Sequence, residues 1–157
     1  MSLTTRRLAP VALAAILTLS AAACAPPSGK GGGGITGDVV ASINQDRAAH
    51  GLAPLAWDAQ LAAYAQSWAG RIAGAGDLVH TDLGALMRLP YMASWWTIRE
   101  NLLEAPPGTS GADAANIWMA SPPHRANILD PEVNYIGVGA VYDGAGRVWM
   151  VAEFGAR

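Results

Sequence analysis

The sequence predicts one α+β domain behind an N-terminal leader, and three features carry that reading. Apolar residues recur at helical spacing from 38 to 73, and again from 110 to 119. Beyond Asn134 the period changes to two, in two runs separated by a glycine-containing turn. Helices before and between a small antiparallel sheet are the layering that such a change of period produces.

The leader is excluded from the fold. Arg6-Arg7 gives it a positive start, and Leu8 to Leu19 is an apolar run too short to stop in a bilayer. Ser20-Ala21-Ala22-Ala23 then offers small residues before Cys24, the only cysteine of the chain. Residues 1–23 therefore read as a lipoprotein-type signal peptide with Cys24 as the lipidation site. Ala21, where a leucine is usual, makes the box imperfect, and ordinary secretory cleavage nearby is the plainer alternative. Residues 24–35 are Pro-, Ser- and Gly-rich and end in four glycines, the composition of a flexible tether. The domain is assigned to residues 36–157. With Cys24 lipidated no internal disulfide is available, so the fold must stand on its core. Roughly 120 residues suffice, burying about two thirds of their unfolded surface.

Each element has a local cause. Val39, Val40, Ile43 and Arg47 predict a helix from Asp38 to Ala49, stopped by Gly51. Asp58 caps a second helix whose apolar face is Leu61, Ala62, Ala65, Trp68, Ala69 and Ile72, with Gly74 as its end. Residues 74 to 98 read as irregular, with a short helical piece near Leu83 to Arg88. Residues 97 to 103 predict a strand carrying Glu100. Ser110 and Asp113 form a capping-box-like start for a helix through Met119. Ile136 to Tyr142 and Val148 to Phe154 flank Asp143-Gly144-Ala145-Gly146 as a β-hairpin. Gly137 and Gly139 mark a place where another element approaches the first of these strands.

Charge excludes one class of partner. Without Arg6 and Arg7 the chain keeps 8 basic residues (10 − 2) against 12 acidic ones, a net charge of −4. Its one lysine, Lys30, lies in the tether. No basic stripe exists to displace counterions from a phosphate backbone, so nucleic acid is not expected as a partner.

The candidate site residues are His80, Glu100, Ser121 and His124. Ser121-Pro122-Pro123 reads as N-cap, N1 and N2 of a short helix. Because Pro123 has no N–H, the Ser121 hydroxyl is expected to bond the N–H of His124. The helix N-terminus favours neutral imidazole there, the form that binds a metal or acts as a base. His80 lies on a loop after a Gly-rich bend. His50, beside the first helix stop, is explained by its helix C-terminus and is not a candidate. Glu100 sits half-buried between apolar neighbours and must find a histidine, a cation, Arg99 or Arg125 as partner. Asn101 is read as structural. Ser121 lacks the Gly-x-Ser-x-Gly elbow of a hydrolase nucleophile, and no His-Glu-x-x-His occurs. Trp57, Trp68, Trp118 and Trp149 fall on core-facing patterns, whereas Trp95 and Trp96 cannot both face inward.

The order of these motifs resembles the CAP superfamily, also called the SCP domain, which includes sperm-coating and plant pathogenesis-related proteins. The bacterial branch is the nearer match. Asn44, Arg47, Gly51-Leu52, Leu55 and Trp57 match the first helix and the turn after it; His80 matches the first site histidine. Glu100-Asn101 matches the Gly-Glu-Asn motif, with Arg99 in place of glycine. His124 precedes Ile136-Gly137-Val138-Gly139 by the usual length, and Phe154-Gly155 closes the pattern. Many eukaryotic members carry a second glutamate three residues after the tryptophan matched by Trp118; here that residue is Ser121.

The resemblance implies an α-β-α sandwich with its site in a cleft on one side. It also implies a sterol, other lipid or glycan as ligand. Two imidazoles and a carboxylate are a complement for a divalent cation, zinc by ligand preference, with open positions. The expected function is thus a non-enzymatic binding domain, lipid-tethered to a membrane outside the cytoplasm, with His80, Glu100 and His124 as metal ligands. Two alternatives stand beside it. One is a metal-dependent hydrolase or peptidase with Glu100 or a histidine as base on a metal-bound water; the other is an envelope scaffold with a vestigial cleft.

Overall fold

A computed structural model describes residues 32–157. The signal peptide, the lipidation site Cys24 and most of the tether lie outside the described residues. Helix α1 spans Ile35–Ala49, three residues longer at its start than the apolar spacing predicts, because Ile35 also packs on the core. Helix α2, Ala59–Ala75, is capped by the Asp58 carboxylate, which accepts from the N–H groups of Gln60 and Leu61 at 2.9 Å each. Its end is Gly76, not Gly74. The chain leaves the helix through a left-handed residue, and Gly76 has φ 67°.

The irregular stretch holds helix α3, Leu83–Met87, and one 3-10 turn at Pro90–Met92 that no periodicity signalled. Strand β2, Thr97–Ala105, carries Glu100 as expected. Helix α4, Gly111–Ala120, opens with the predicted capping box: the Asp113 N–H donates to the Ser110 hydroxyl, and the Ser110 N–H to the Asp113 carboxylate. Helix α5, Pro122–Ile128, follows directly. Strands β3, Tyr135–Tyr142, and β4, Val148–Ala156, form the hairpin.

The sheet has one member beyond the expected antiparallel set. Ala56–Trp57 forms a two-residue strand, β1, parallel to β3, and the order is β1-β3-β4-β2. Two residues are too few to show a period.

Alternation along β4 explains the layers. Val148, Met150, Ala152 and Phe154 pack with Val39 and Ile43 of α1, Trp118 of α4 and Ile128 of α5. Trp149 and Val151 turn the other way, onto Ala65, Ala69 and Ile72 of α2. Leu61 of α2 continues that second layer with Leu86, Met92, Trp95 and Ile98. The result is an α-β-α sandwich. Gly137 and Gly139 permit the α2 side of it: a Cβ at these positions would lie 2.1 Å from the Ala62 nitrogen and 2.2 Å from the Gln66 nitrogen. Trp95 is buried and Trp96 exposed, as their adjacency requires, and Trp118 and Trp149 are core; Trp57 and Trp68 are half-buried.

Arg47 has a larger part than its place on a helix face suggests. Its buried guanidinium donates to the carbonyls of Ala53, Ile128, Asp130 and Val133, at 2.8, 2.7, 2.9 and 3.3 Å. It fastens α1 to the end of α5 and to the loop that leads into β3. Among the described residues no helix is long and apolar enough to cross a membrane.

Candidate functional site

Strand β2 lies at an edge of the sheet, and this brings the three site elements together. His80 comes from the loop between α2 and α3, on one side of that edge. His124 comes from the first turn of α5, on the other. Glu100 belongs to β2 itself and points to the α2 side with Ile98 and Leu102. Asn101 points to the opposite side, fully buried, and donates to the His124 carbonyl at 3.1 Å. Asn127 of α5 donates to the Glu100 carbonyl at 3.1 Å and to the Asn101 side-chain oxygen at 2.8 Å. Asn101 is structural, as expected, and its task is to hold the backbone that carries His124.

Glu100 is more buried than its apolar flanks suggested, with its side chain 1 % exposed. Its partner is a histidine, not an arginine. Oε1 accepts from His80 Nδ1 at 2.7 Å and from the Thr81 N–H at 2.9 Å; Oε2 accepts from the Thr81 hydroxyl at 2.7 Å. The Tyr64 hydroxyl donates to that of Thr81 at 3.1 Å, extending the chain to α2. Arg99 pairs instead with Asp130 at 3.3 Å, and Arg125 donates to His50 Nε2 at 2.8 Å. His50 Nδ1 meets the Asp46 carbonyl at 2.7 Å, so both its nitrogens are engaged.

His124 stands apart from this chain of bonds. Its Nδ1 is buried without a hydrogen-bond partner, an uncommon condition for a ring nitrogen. Burial pushes its pKa down, and the charge of His80 nearby lowers it further. The ring is therefore held neutral, and the two imidazoles lie within electrostatic reach of each other.

Ser121 does not act as expected. Its hydroxyl makes no capping bond to α5. Ser121 is at once the C-cap of α4 and the N-cap of α5, with extended backbone, and main-chain bonds fix this joint. Its N–H donates to the Trp118 carbonyl at 3.1 Å, and its carbonyl accepts from the Arg125 N–H at 2.8 Å.

Among the described residues no three or more His, Cys, Asp or Glu side chains gather as a metal-holding group. Glu100 is taken up by His80 and Thr81. What remains is a pair: His80, whose Nδ1–H is taken by a carboxylate so that Nε2 is the free nitrogen, and neutral His124 with its unpartnered buried Nδ1. The described residues thus offer two imidazole donors, one fewer than the three protein ligands usual for an open zinc site. A groove of about 450 Å³ runs between α2 and α3, lined by Tyr64, Trp68, Arg71, Asp82, Leu89 and Tyr91. It touches the site through Tyr64 and Thr81.

Sequence reasoning passed over Thr81, Asn127 and Glu153. Thr81 was adjacent to a chosen histidine and carried no signal of its own. Glu153 did carry one. In a strand whose residues otherwise alternate apolar, it is the one charged side chain, on the face that Trp149 and Val151 place against α2. The structure buries it completely.

The family model of the cysteine-rich secretory proteins, CAP, matches residues 40–154. The chain belongs to the CAP family. Pathogenesis-related protein 1 of Arabidopsis thaliana is 37 % identical over 82 residues, covering 52 % of this chain and 43 % of that protein. The chain thus matches less than half the length of the curated relatives. Among solved structures, an SCP-domain extracellular protein of Bacillus anthracis is 26 % identical with a TM-score of 0.63, over 76 % of this chain and 39 % of the other. An outer surface protein of Borrelia burgdorferi has a TM-score of 0.66 at 24 % identity, over 76 % and 90 % of the two chains, a likeness of fold. Unlike the family's name suggests, this CAP domain has no cysteine within residues 32–157.

Proposed function

We propose that this CAP domain is an extracytoplasmic binding module in which His80 and His124 hold a divalent cation, zinc by ligand preference. The observation that carries the reading is the 2.7 Å bond from His80 Nδ1 to Glu100. Metal-binding histidines commonly donate their second ring nitrogen to a carboxylate, which fixes the tautomer and makes the free nitrogen a better ligand. Glu100 accordingly acts behind His80 as its orienting carboxylate, and His124, kept neutral by burial, supplies the second imidazole. Such a cation would bring open coordination positions to the mouth of the groove beside Tyr64 and Thr81. There a lipid, sterol or glycan could present an oxygen to it.

The location is supported by the leader and by relatives named as extracellular or outer-surface proteins. Lipid on Cys24 would anchor the domain to a membrane, with residues 25–34 as spacer. Calorimetric titration of zinc into the protein tests the cation reading. Binding at about pH 7.5, above the ordinary histidine range, should be lost in His80→Ala and in His124→Ala and retained in His50→Ala, since both imidazoles must be neutral to bind. Binding that is absent, or indifferent to both histidines, refutes it.

A further inference from the structure

Glu153 stands directly opposite Glu100 in the register of β2 and β4, on the same face of the sheet. Both its carboxyl oxygens are buried and receive no hydrogen bond from an N–H or hydroxyl group; the carboxyl of Glu100 is their neighbour. Its neighbour across β3 is Gly137, which offers no side chain, and α2 closes over it. The ionisable groups around it are Glu100 on β2, Tyr64 on α2 and, behind Glu100, His80 on the loop. No cation of the described residues pairs with it.

Two ionised carboxyls cannot stand side by side in such a place, so one proton must stay with the pair. The hydrogen bonds decide which carboxyl keeps it. Glu100 accepts from three donors, one of them the fixed main-chain N–H of Thr81, and is therefore the anion. A carboxylate has about four acceptor positions, which leaves one on Oε2.

We propose that Glu153 is a positioning residue: a neutral carboxylic acid that donates its proton to the open acceptor position of Glu100, so that Glu100 is locked as the acceptor for His80. The inference rests on the reading of Glu100 as the orienting carboxylate of His80. Burial first, and the charge of Glu100 second, push the Glu153 pKa well above the usual carboxylate range, which agrees with a neutral acid. The second carboxyl that Ser121 does not provide is thus present on the sheet side, buried under the site.

Two measurements on the full-length chain, both without any cation, test this apart from zinc binding. Infrared spectroscopy at about pH 7, where a free glutamate is fully ionised, should show the carbonyl stretch of a protonated carboxyl that shifts in D2O and disappears in Glu153→Gln. Absence of that band in the wild type, or its survival in Glu153→Gln, overturns the shared proton. Nitrogen-15 NMR should then show His80 as the Nδ1–H tautomer in the wild type and in Glu153→Gln, whose amide still donates. Glu153→Leu should broaden or lose that Nδ1–H signal. If Leu leaves it as in the wild type, Glu153 does not position His80.

Discussion

Replacing Arg47 by methionine keeps an unbranched apolar stem in the core and removes only the donors. Four carbonyls then lose their partner: Ala53, Ile128, Asp130 and Val133. A hydrogen bond from a charged donor contributes about 1.5–3 kcal/mol, and a buried acceptor left without one costs about 1–3 kcal/mol. The four share one guanidinium and do not add in full. Arg47 also pays for its burial, since desolvation lowers its pKa against the weaker raising effect of Asp130. Arg47→Met is therefore expected to lose about 3–5 kcal/mol, the range for breaking a buried polar network. Urea unfolding followed by tryptophan fluorescence measures it. The midpoint should fall with little change in slope, because the same surface is exposed on unfolding. Since Arg47 holds the Ile128 carbonyl at the end of α5, the helix that carries His124 should also show faster amide exchange than α2. A loss below about 1 kcal/mol, the usual value for one ordinary hydrogen bond, would show that the loop is held by something else.

Three further outcomes follow from the packing and the charges. Gly137→Ala places a Cβ 2.1 Å from the Ala62 nitrogen, a main-chain atom that cannot swing aside; it should cost at least the 1–3 kcal/mol or so typical of overpacking, and a variant that melts like wild type refutes the close approach of α2. Glu153, with its pKa raised by folding, gives stability that is fully present below the unfolded value near 4.3 and lost as pH rises towards the folded one, at up to about 1.4 kcal/mol per pH unit. Glu153→Gln should therefore gain on the wild type between about pH 4 and pH 7 in parallel thermal melts, and a constant difference between the two would contradict the assignment. Ser121→Ala removes no capping bond and should change stability by less than about 0.5 kcal/mol; a loss near 1 kcal/mol would restore the cap that the sequence suggests.

The layers were legible because burial leaves a periodic trace. The apolar stripes of α1, α2 and α4, the alternation of β4 and the glycines of β3 all announce which face is covered. Strand β1 is too short for a period, and the turn at Pro90–Met92 is held by contacts with α2 that no local pattern encodes. At the site, His80, Glu100 and His124 are candidates on the sequence, Glu100 by its apolar surroundings and His80 only by its pairing with a distant histidine and carboxylate. Which of them bond each other depends on β2 being an edge strand, and edge position is a matter of topology. The same blindness hid Glu153, whose only mark was a charge on a buried face. It also produced the false cap at Ser121: side-chain chemistry allowed the bond, but the junction of two helices fixed the backbone otherwise.

The most direct test of the account is nitrogen-15 NMR of the three histidine rings during zinc addition to the wild-type protein at about pH 7. His80 should move at Nε2 while keeping its Nδ1–H towards Glu100, and His124 should move with it at the same stoichiometry. His50, with both nitrogens engaged by Asp46 and Arg125, should stay still. Shifts confined to one site histidine, shifts at His50, or none at all would contradict the two-imidazole site.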